Sequence, residues 1–278
     1  MSAPDDHKES IKDNFDTVAE GYDGSALRFF PASATHMAAR LELRGDEQVL
    51  DVACGTGHAS LAIARLLPAG RVTAVDFSPG MLAQARRKAV AAGIANIDFV
   101  ERDMQALPWQ GRFDAAVCAF GIFFVMDMES QLRHVAATVK PGGQVMISNF
   151  TEDYMQPLRS LMLARLGQFG VRPPPQTWLH IAHEDGCRRL FESAGLGDVQ
   201  VERKSLGYFL ASPEEWWDVI WNAGYRRMVG RLSREDQARF KQDHLAELAS
   251  LRTQDGIWMD VGVLITRGKA STRGNARG

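Results

Sequence analysis

The sequence predicts an α/β protein, a mostly parallel sheet with helices on both faces. Three observations carry that reading. From residue 48 onward, short apolar runs of strand length alternate with stretches of helical apolar spacing, and such alternation demands a parallel sheet. The first run, Val49 to Val52, opens into the turn Cys54-Gly55-Thr56-Gly57, and apolar residues then return at helical spacing from Ala59 to Leu67. The second run, Val72-Thr73-Ala74-Val75, closes on Asp76, nineteen residues after Gly57.

Taken in order, residues 1–10 are polar and are expected to be disordered. Ile11 to Tyr22 and Arg28 to Leu43 read as two helices, with Phe15, Val18, Ala19 and Tyr22 on one face. Strands are expected near 48–53, 71–76, 97–100, 113–119 and 143–150, and helices near 58–67, 79–92, 129–138 and 184–195. Pro141-Gly142-Gly143 ends a helix and turns into the fifth strand. Val199 to Leu206 reads as a sixth strand and Ile257 to Thr266 as the last. Lys269 to Gly278 is rich in Gly, Arg and Ser and is expected to be a loose tail.

Two stretches exceed a minimal fold of this kind. Residues 151–183 hold Tyr154, a helix from Pro157 to Gln168, the stiff Pro173-Pro174-Pro175, Trp178 and His180. Residues 211–256 open with Ser212-Pro213-Glu214-Glu215, a capping-box start with Pro at the first helical position. Trp216, Trp217, Ile220 and Trp221 then give that helix an aromatic face, and a second helix runs from Ser233 to Leu251. No hinge-like linker divides the chain, so 1–278 is expected to be a single domain with a core at 45–150.

Composition bounds the function. A chain of 278 residues can bury a full core. The net charge of −2 implies no broad nucleic-acid surface. No apolar run approaches a membrane span, and the polar start is no signal peptide. Cys54 in the glycine turn and Cys118 in a strand point to reduced thiols and a cytoplasmic setting, with Cys187 the third cysteine. No Cys/His set has the spacing of a zinc site.

The strand, glycine turn and helix form the first unit of a nucleotide-binding fold. Glycine lets the backbone approach a ligand closely, and the helix start offers unpaired N–H groups. Asp76, at the end of the neighbouring strand, is placed to bind both hydroxyls of a ribose. A dinucleotide fingerprint would carry a third glycine where this chain has Ser60, which counts against NAD.

The wider pattern decides the cofactor. Asp51 to Gly57, Asp76-Phe77-Ser78-Pro79-Gly80-Met81-Leu82, Glu101-Arg102-Asp103-Met104, Phe113 to Val117 and Lys140-Pro141-Gly142-Gly143 occur in order across residues 45–150. Together they resemble the five motifs of class I S-adenosylmethionine-dependent methyltransferases. Asp16 to Asp23 and Phe120-Gly121 look most like the ubiquinone/menaquinone-type and related small-molecule enzymes. The resemblance implies a Rossmann-like seven-stranded sheet with its last strand antiparallel. It makes 1–44 an N-terminal helical lid and 151–183 and 211–256 substrate-cap inserts. The ubiquinone-type enzymes largely lack the second insert, so their substrate does not carry over directly.

Roles follow for the cofactor S-adenosyl-L-methionine. Ala53, Gly55 and Gly57 form the loop beside its methionyl part. Asp51 either orders that loop or reaches the ammonium through water. Asp76 binds the ribose, Asp103 accepts from the adenine N6, and the Met104 backbone meets N1. Phe77 and Met81 pack on the adenine or belong to the core. Ala119 and Phe120 lie beside the sulfonium, and Tyr22 is either a lid residue or a core aromatic. Methyl transfer from a sulfonium is an in-line displacement, which requires a held acceptor and excluded water rather than a protein nucleophile.

The end of the fourth strand, Cys118-Ala119-Phe120-Gly121, lacks the Asn/Asp-Pro-Pro-aromatic turn of base amino-methylating enzymes. The fourth and fifth strand ends carry Ala119-Phe120 and Asn149-Phe150 instead of acids, so no catalytic metal is expected. Phe123, Phe124, Tyr154, Trp178, Trp216, Trp217 and Tyr225 are candidates for an apolar acceptor pocket, or else pack the inserts onto the core. His180 and His183 are candidate bases, because imidazole titrates near neutrality. The methylated atom stays open between carbon, oxygen, nitrogen and sulfur, and the aromatic inserts suit a homodimer contact as well as a substrate. The competing readings are an NAD(P)-dependent oxidoreductase and a non-catalytic cofactor-binding protein of the same fold.

Overall fold

The computed structural model describes residues 4–174 and 176–271. In chain order its elements begin with α1 (Pro4–Val18), α2 (Phe29–Ala38), β1 (Gln48–Val52), α3 (His58–Ala64), β2 (Arg71–Asp76) and α4 (Pro79–Ala91). Then come β3 (Ile97–Glu101), β4 (Phe113–Ala119), α5 (Met128–Thr138), β5 (Val139–Phe150), α6 (Leu158–Gln168), α7 (Glu184–Ser193) and β6 (Leu196–Ser205). The last are β7 (Tyr208–Leu210), α8 (Pro213–Trp221), α9 (Arg226–Val229), α10 (Arg234–Ala249), β8 (Ile257–Met259) and β9 (Gly262–Ala270). They fall into two compact units. One comprises the chain up to Phe29, Asp153–Gln176 and Ser205–Gly262; the other comprises Phe30–Glu152, Thr177–Lys204 and the chain from Val263.

The second unit holds a seven-stranded sheet in the order β3-β2-β1-β4-β5-β9-β6. Neighbours from β3 to β5 run parallel, and β9 runs antiparallel to β5. Val49, Leu50, Val52, Ala115, Val117, Val145 and Ile147 are all buried. Helices on both faces require that, and it explains why these strands read as unbroken apolar runs. The chain reverses its winding between β1 and β4, so a crevice opens at the carboxyl ends of those strands. Ser78 accepts the Met81 N–H at 3.1 Å and Pro79 takes the first turn of α4. The second motif is thereby locked as strand, cap and helix.

Several boundaries differ from the sequence expectation. Residues 4–10 are helical rather than disordered, while 1–3 lie outside the described residues. Ile11 is buried and anchors α1. α1 stops at Val18, short of Tyr22, where the Gly21 N–H turns back to the Val18 carbonyl at 3.0 Å. A Cβ on Gly21 would overlap the Asn222 side chain, so the chain tightens there. β5 begins at Val139, before the expected glycine turn. The pairs Phe113↔Val139 and Ala115↔Gln144 bracket a register shift that extrudes Lys140 to Gly143.

The expected last strand is two strands. β8 pairs with β7 in a separate two-stranded sheet, and β9 joins the main sheet. The break falls at Asp260 and Val261, whose carbonyls accept the N–H groups of Met155 and Leu206 instead of a sheet partner. The expected tail is shorter, since Lys269 and Ala270 belong to β9 and 272–278 lie outside the described residues, as does Pro175 of the proline run.

The first unit gathers α1, α6, α8, α9, α10 and the β7–β8 ribbon. Its centre is Trp216, fully buried, whose indole N–H donates to His244 Nε2 at 2.9 Å. Burial lowers the pKa of His244, which keeps the imidazole an acceptor for that bond. Glu247 faces His244 Nδ1 at 3.6 Å and pairs with Arg165 at 3.1 Å. Among the described residues no helix is long and apolar enough to cross a membrane.

Candidate cofactor-binding site at the strand switch point

Three residues of the turn after β1 adopt left-handed backbone angles: Ala53 at φ 54°, Gly55 at 56° and Gly57 at 82°. A Cβ on Gly57 would stand 3.0 Å from that of Ala85, so the loop packs against α4. A Cβ on Gly55 would meet nothing within 4 Å, so the main chain there faces open space. The Cys54 N–H donates to the Val75 carbonyl at 2.9 Å, and the Gly55 N–H to Asp76 Oδ2 at 2.8 Å. Asp76 also accepts the Ser78 N–H through Oδ1 at 2.9 Å. One buried carboxylate at the end of β2 thus fixes both the glycine loop and the start of α4. A carboxylate oxygen carries two lone pairs, so these amides do not exhaust its capacity to accept.

Asp51 lies one residue before the end of β1 and is fully buried. Ser60 Oγ donates to its Oδ2 at 2.5 Å, while Oδ1 has no hydrogen-bond partner. Burial, with the negative charge of Asp76 adding to it, pushes the Asp51 carboxyl up to about 7. Burial raises the thiols of Cys54 and Cys118, and the charges of Asp51 and Asp76 add to it. All three cysteines are free thiols.

At the end of β3, Asp103 caps the short turn Met104–Ala106 by accepting the Gln105 N–H at 2.9 Å. Gln131 of α5 donates to the Met104 carbonyl at 2.8 Å, which fixes the peptide after Met104. Phe77 is half-buried. Met81 is wholly buried in the first turn of α4.

Phe120, just past β4, holds φ 53°. Its N–H donates to the Ser148 carbonyl of β5 at 2.9 Å, which helps over-determine the strained residue. A Cβ on Gly121 would come 2.8 Å from Cys118 Sγ and 2.9 Å from the Ala53 Cβ, so only glycine lets the β4 loop close on the β1 loop. Phe120 packs on Phe150 at 4.6 Å and on Phe30 at 5.3 Å, ring centre to ring centre. Phe123 continues the cluster, 4.9 Å from Phe124 and 6.3 Å from Phe150. Five phenylalanines therefore wall the carboxyl ends of β4 and β5.

The structure sorts the remaining expected residues. Ala119 is half-buried at the end of β4. Tyr154 and Tyr225 meet in the first unit, where the Tyr225 hydroxyl donates to that of Tyr154 at 2.7 Å. Trp216, 6.3 Å from Tyr225, belongs to that unit's buried core. Trp217 stacks on Trp221 at 5.5 Å, and Tyr22 lies edge-on to Phe15 at 6.2 Å. Trp178 and His180 share the turn Thr177–Ile181 in the second unit, Trp178 half-buried and His180 exposed. His183 is the N-cap position of α7 without a side-chain cap bond, and its ring lies 3.7 Å from Glu152. Sequence reasoning weighed Ser60 only as a missing glycine, and it did not place Phe30 or Phe150 in the aromatic wall.

A doubly wound sheet with a glycine loop at its switch point and acids ending β2 and following β3 defines a nucleoside-binding α/β protein. The comparisons give its family. A methyltransferase domain model matches residues 49–143. The demethylmenaquinone methyltransferase of Thermus thermophilus is 39% identical over 108 residues, 38% of this chain and 49% of that one, so the match spans about half of that relative's length. The ubiquinone/menaquinone biosynthesis C-methyltransferase of Pseudomonas fluorescens is 30% identical over 217 residues, covering 74% of this chain and 82% of the relative. The crystal structure of the YcgJ protein from Bacillus has the same fold, with a TM-score of 0.57 at 18% identity over 87% of this chain and 99% of that one. The chain belongs to the class I S-adenosylmethionine-dependent methyltransferases. These matches give no support to an oxidoreductase.

Proposed function

We propose that the chain methylates a small, partly apolar acceptor with S-adenosylmethionine as donor. The observation that carries this reading is the buried, unpartnered Oδ1 of Asp51 beside a glycine loop whose Gly55 faces open space. A carboxylate without a partner suits an ammonium, open main chain suits a closely held ligand, and the Asp76 carboxylate suits a vicinal diol. The residues present therefore fit the donor.

Each role rests on this chain's own groups. Asp51 receives the amino end of the donor, and Gly55 and Gly57 allow close approach of the backbone. Asp76 accepts from the ribose hydroxyls. Asp103 accepts from the adenine amino group, the Met104 N–H donates to the ring, and Phe77 lies on it. When bound, S-adenosylmethionine supplies an electrophilic methyl carbon on a positively charged sulfur. Phe120, Phe123, Phe124 and Phe150 exclude water and hold an apolar acceptor in line. The relatives named for demethylmenaquinone and for ubiquinone/menaquinone biosynthesis make quinones and their reduced quinols the first acceptors to try.

Calorimetry with S-adenosylhomocysteine, followed by transfer of labelled methyl to a panel of quinols and phenols, tests the proposal. Binding in the micromolar range, loss of binding in Asp76→Ala and labelling of a panel member are expected. Absence of heat in the native protein overturns it.

A further inference from the structure

Asp51 and Ser60 do more than supply contacts, a role that rests on the reading of the loop as an S-adenosylmethionine site. We propose that the cofactor's ammonium displaces a proton from Asp51, and that Ser60 is the positioning residue which keeps that carboxyl turned so that one oxygen stays available.

The geometry is asymmetric. Ser60 sits in the first turn of α3 and donates its hydroxyl to one oxygen of the carboxyl, Oδ2. The other oxygen is buried with no hydrogen bond. A buried carboxylate in that state carries the desolvation cost of an unpaired charge and relieves it by holding a proton. The groups that act on Asp51 do not supply the missing positive charge. Asp76 at the end of β2 is a second carboxylate, α3 contributes Ser60, and the nearby thiols, Cys54 in the loop and Cys118 in β4, are held in their neutral form. Arg86 of α4 acts on Cys54. A ligand cation is therefore what turns the acid into a carboxylate.

The step balances simply. The O–H bond of the Asp51 acid breaks, its proton passes to solvent, and the carboxylate keeps the electron pair and faces the ammonium. One proton leaves for each cofactor bound wherever Asp51 starts protonated. Affinity then rises by up to tenfold per pH unit on the acid side of the Asp51 titration and levels off above it. Burial and Asp76 place that turning point near pH 7.

The experiment is titration calorimetry of the full chain with S-adenosylhomocysteine in buffers of contrasting ionisation enthalpy. It is run at pH 6.0 and pH 8.5. The apparent enthalpy is expected to vary with the buffer by about one released proton at the lower pH and by about none at the higher. Asp51→Asn is expected to bind more weakly and to lose the buffer dependence. Ser60→Ala leaves the acid in place without its hydroxyl donor, so its affinity-against-pH curve is expected to shift to higher pH, and Ser60→Thr to restore the native midpoint. A purely structural Ser60 would weaken binding equally at every pH, and that result overturns its positioning role. Binding with no buffer dependence at pH 6.0, or a dependence that survives in Asp51→Asn, overturns the proton release while leaving the cofactor site intact. No binding at any pH overturns both readings together.

Discussion

Ala53 and Phe120 carry left-handed backbone angles just past the two strands that flank the crevice, and neither is glycine. Each such residue costs on the order of 1 kcal/mol or more and persists only where its surroundings hold it. Ala53→Gly is therefore expected to raise the melting temperature by about 2–4 °C. Gly121→Ala is expected to destabilise by about 1–3 kcal/mol through overpacking, because its methyl would press on Cys118 and Ala53. In the double variant Ala53→Gly/Gly121→Ala the obstructing methyl is gone, so the two changes are expected to cost less than their sum in denaturant titrations. Gly57→Ala combines a left-handed angle with a methyl set against Ala85. It is expected to lose both stability and S-adenosylhomocysteine binding. Residue identity told which backbone must bend and which acids end the strands. It did not tell that Ser60 would grip Asp51, since that contact depends on how the first turn of α3 sits over β1.

Elements whose ends are set by local chemistry were legible. α4 starts where Ser78 and Pro79 say it should, and α10 where Ser233 accepts the Asp236 N–H at 3.1 Å. Ser233→Ala is expected to cost about 1 kcal/mol, read as a lower melting temperature with the cofactor affinity unchanged. Elements whose ends are set by distant partners were not legible. Ile257 to Thr266 is one apolar stretch in the sequence, and only pairing with β7 on one side and β5 on the other divides it. Lys140 to Gly143 reads as a turn because proline and glycine break the local pattern, yet the strand resumes across it by a register shift. Trp216 illustrates the same limit. Its spacing gave a correct helix face, but an aromatic face has the same sequence whether it meets a ligand or, as here, His244 and a buried core.

At the scale of the whole molecule, charge pairing within the second unit fixes an acid limit. Glu202 of β6 accepts two hydrogen bonds from Arg40, at 2.7 and 3.1 Å, and faces His36 at 2.9 Å. Hydrogen bonding to Arg40 leads the causes that hold its carboxyl down to about 2, against an ordinary value of 4.5. A carboxylate with a depressed pKa stabilises the fold fully above its unfolded value, and that contribution disappears as pH falls through the folded one. The stability difference between the native chain and Glu202→Gln is thus expected to be flat from pH 8 to about pH 5 and to shrink toward pH 2, measured by urea titration at each pH.

The two units are threaded rather than strung in line. The backbone passes from one to the other at 29/30, 152/153, 176/177, 204/205 and 262/263, five junctions in all. Neither body can be excised by a single pair of cuts, and a ribosome finishes neither before reaching the final stretch from Gly256 onward. Truncating the chain ahead of that stretch removes a ribbon partner from one body and an interior sheet strand from the other, so both are expected to fail at once.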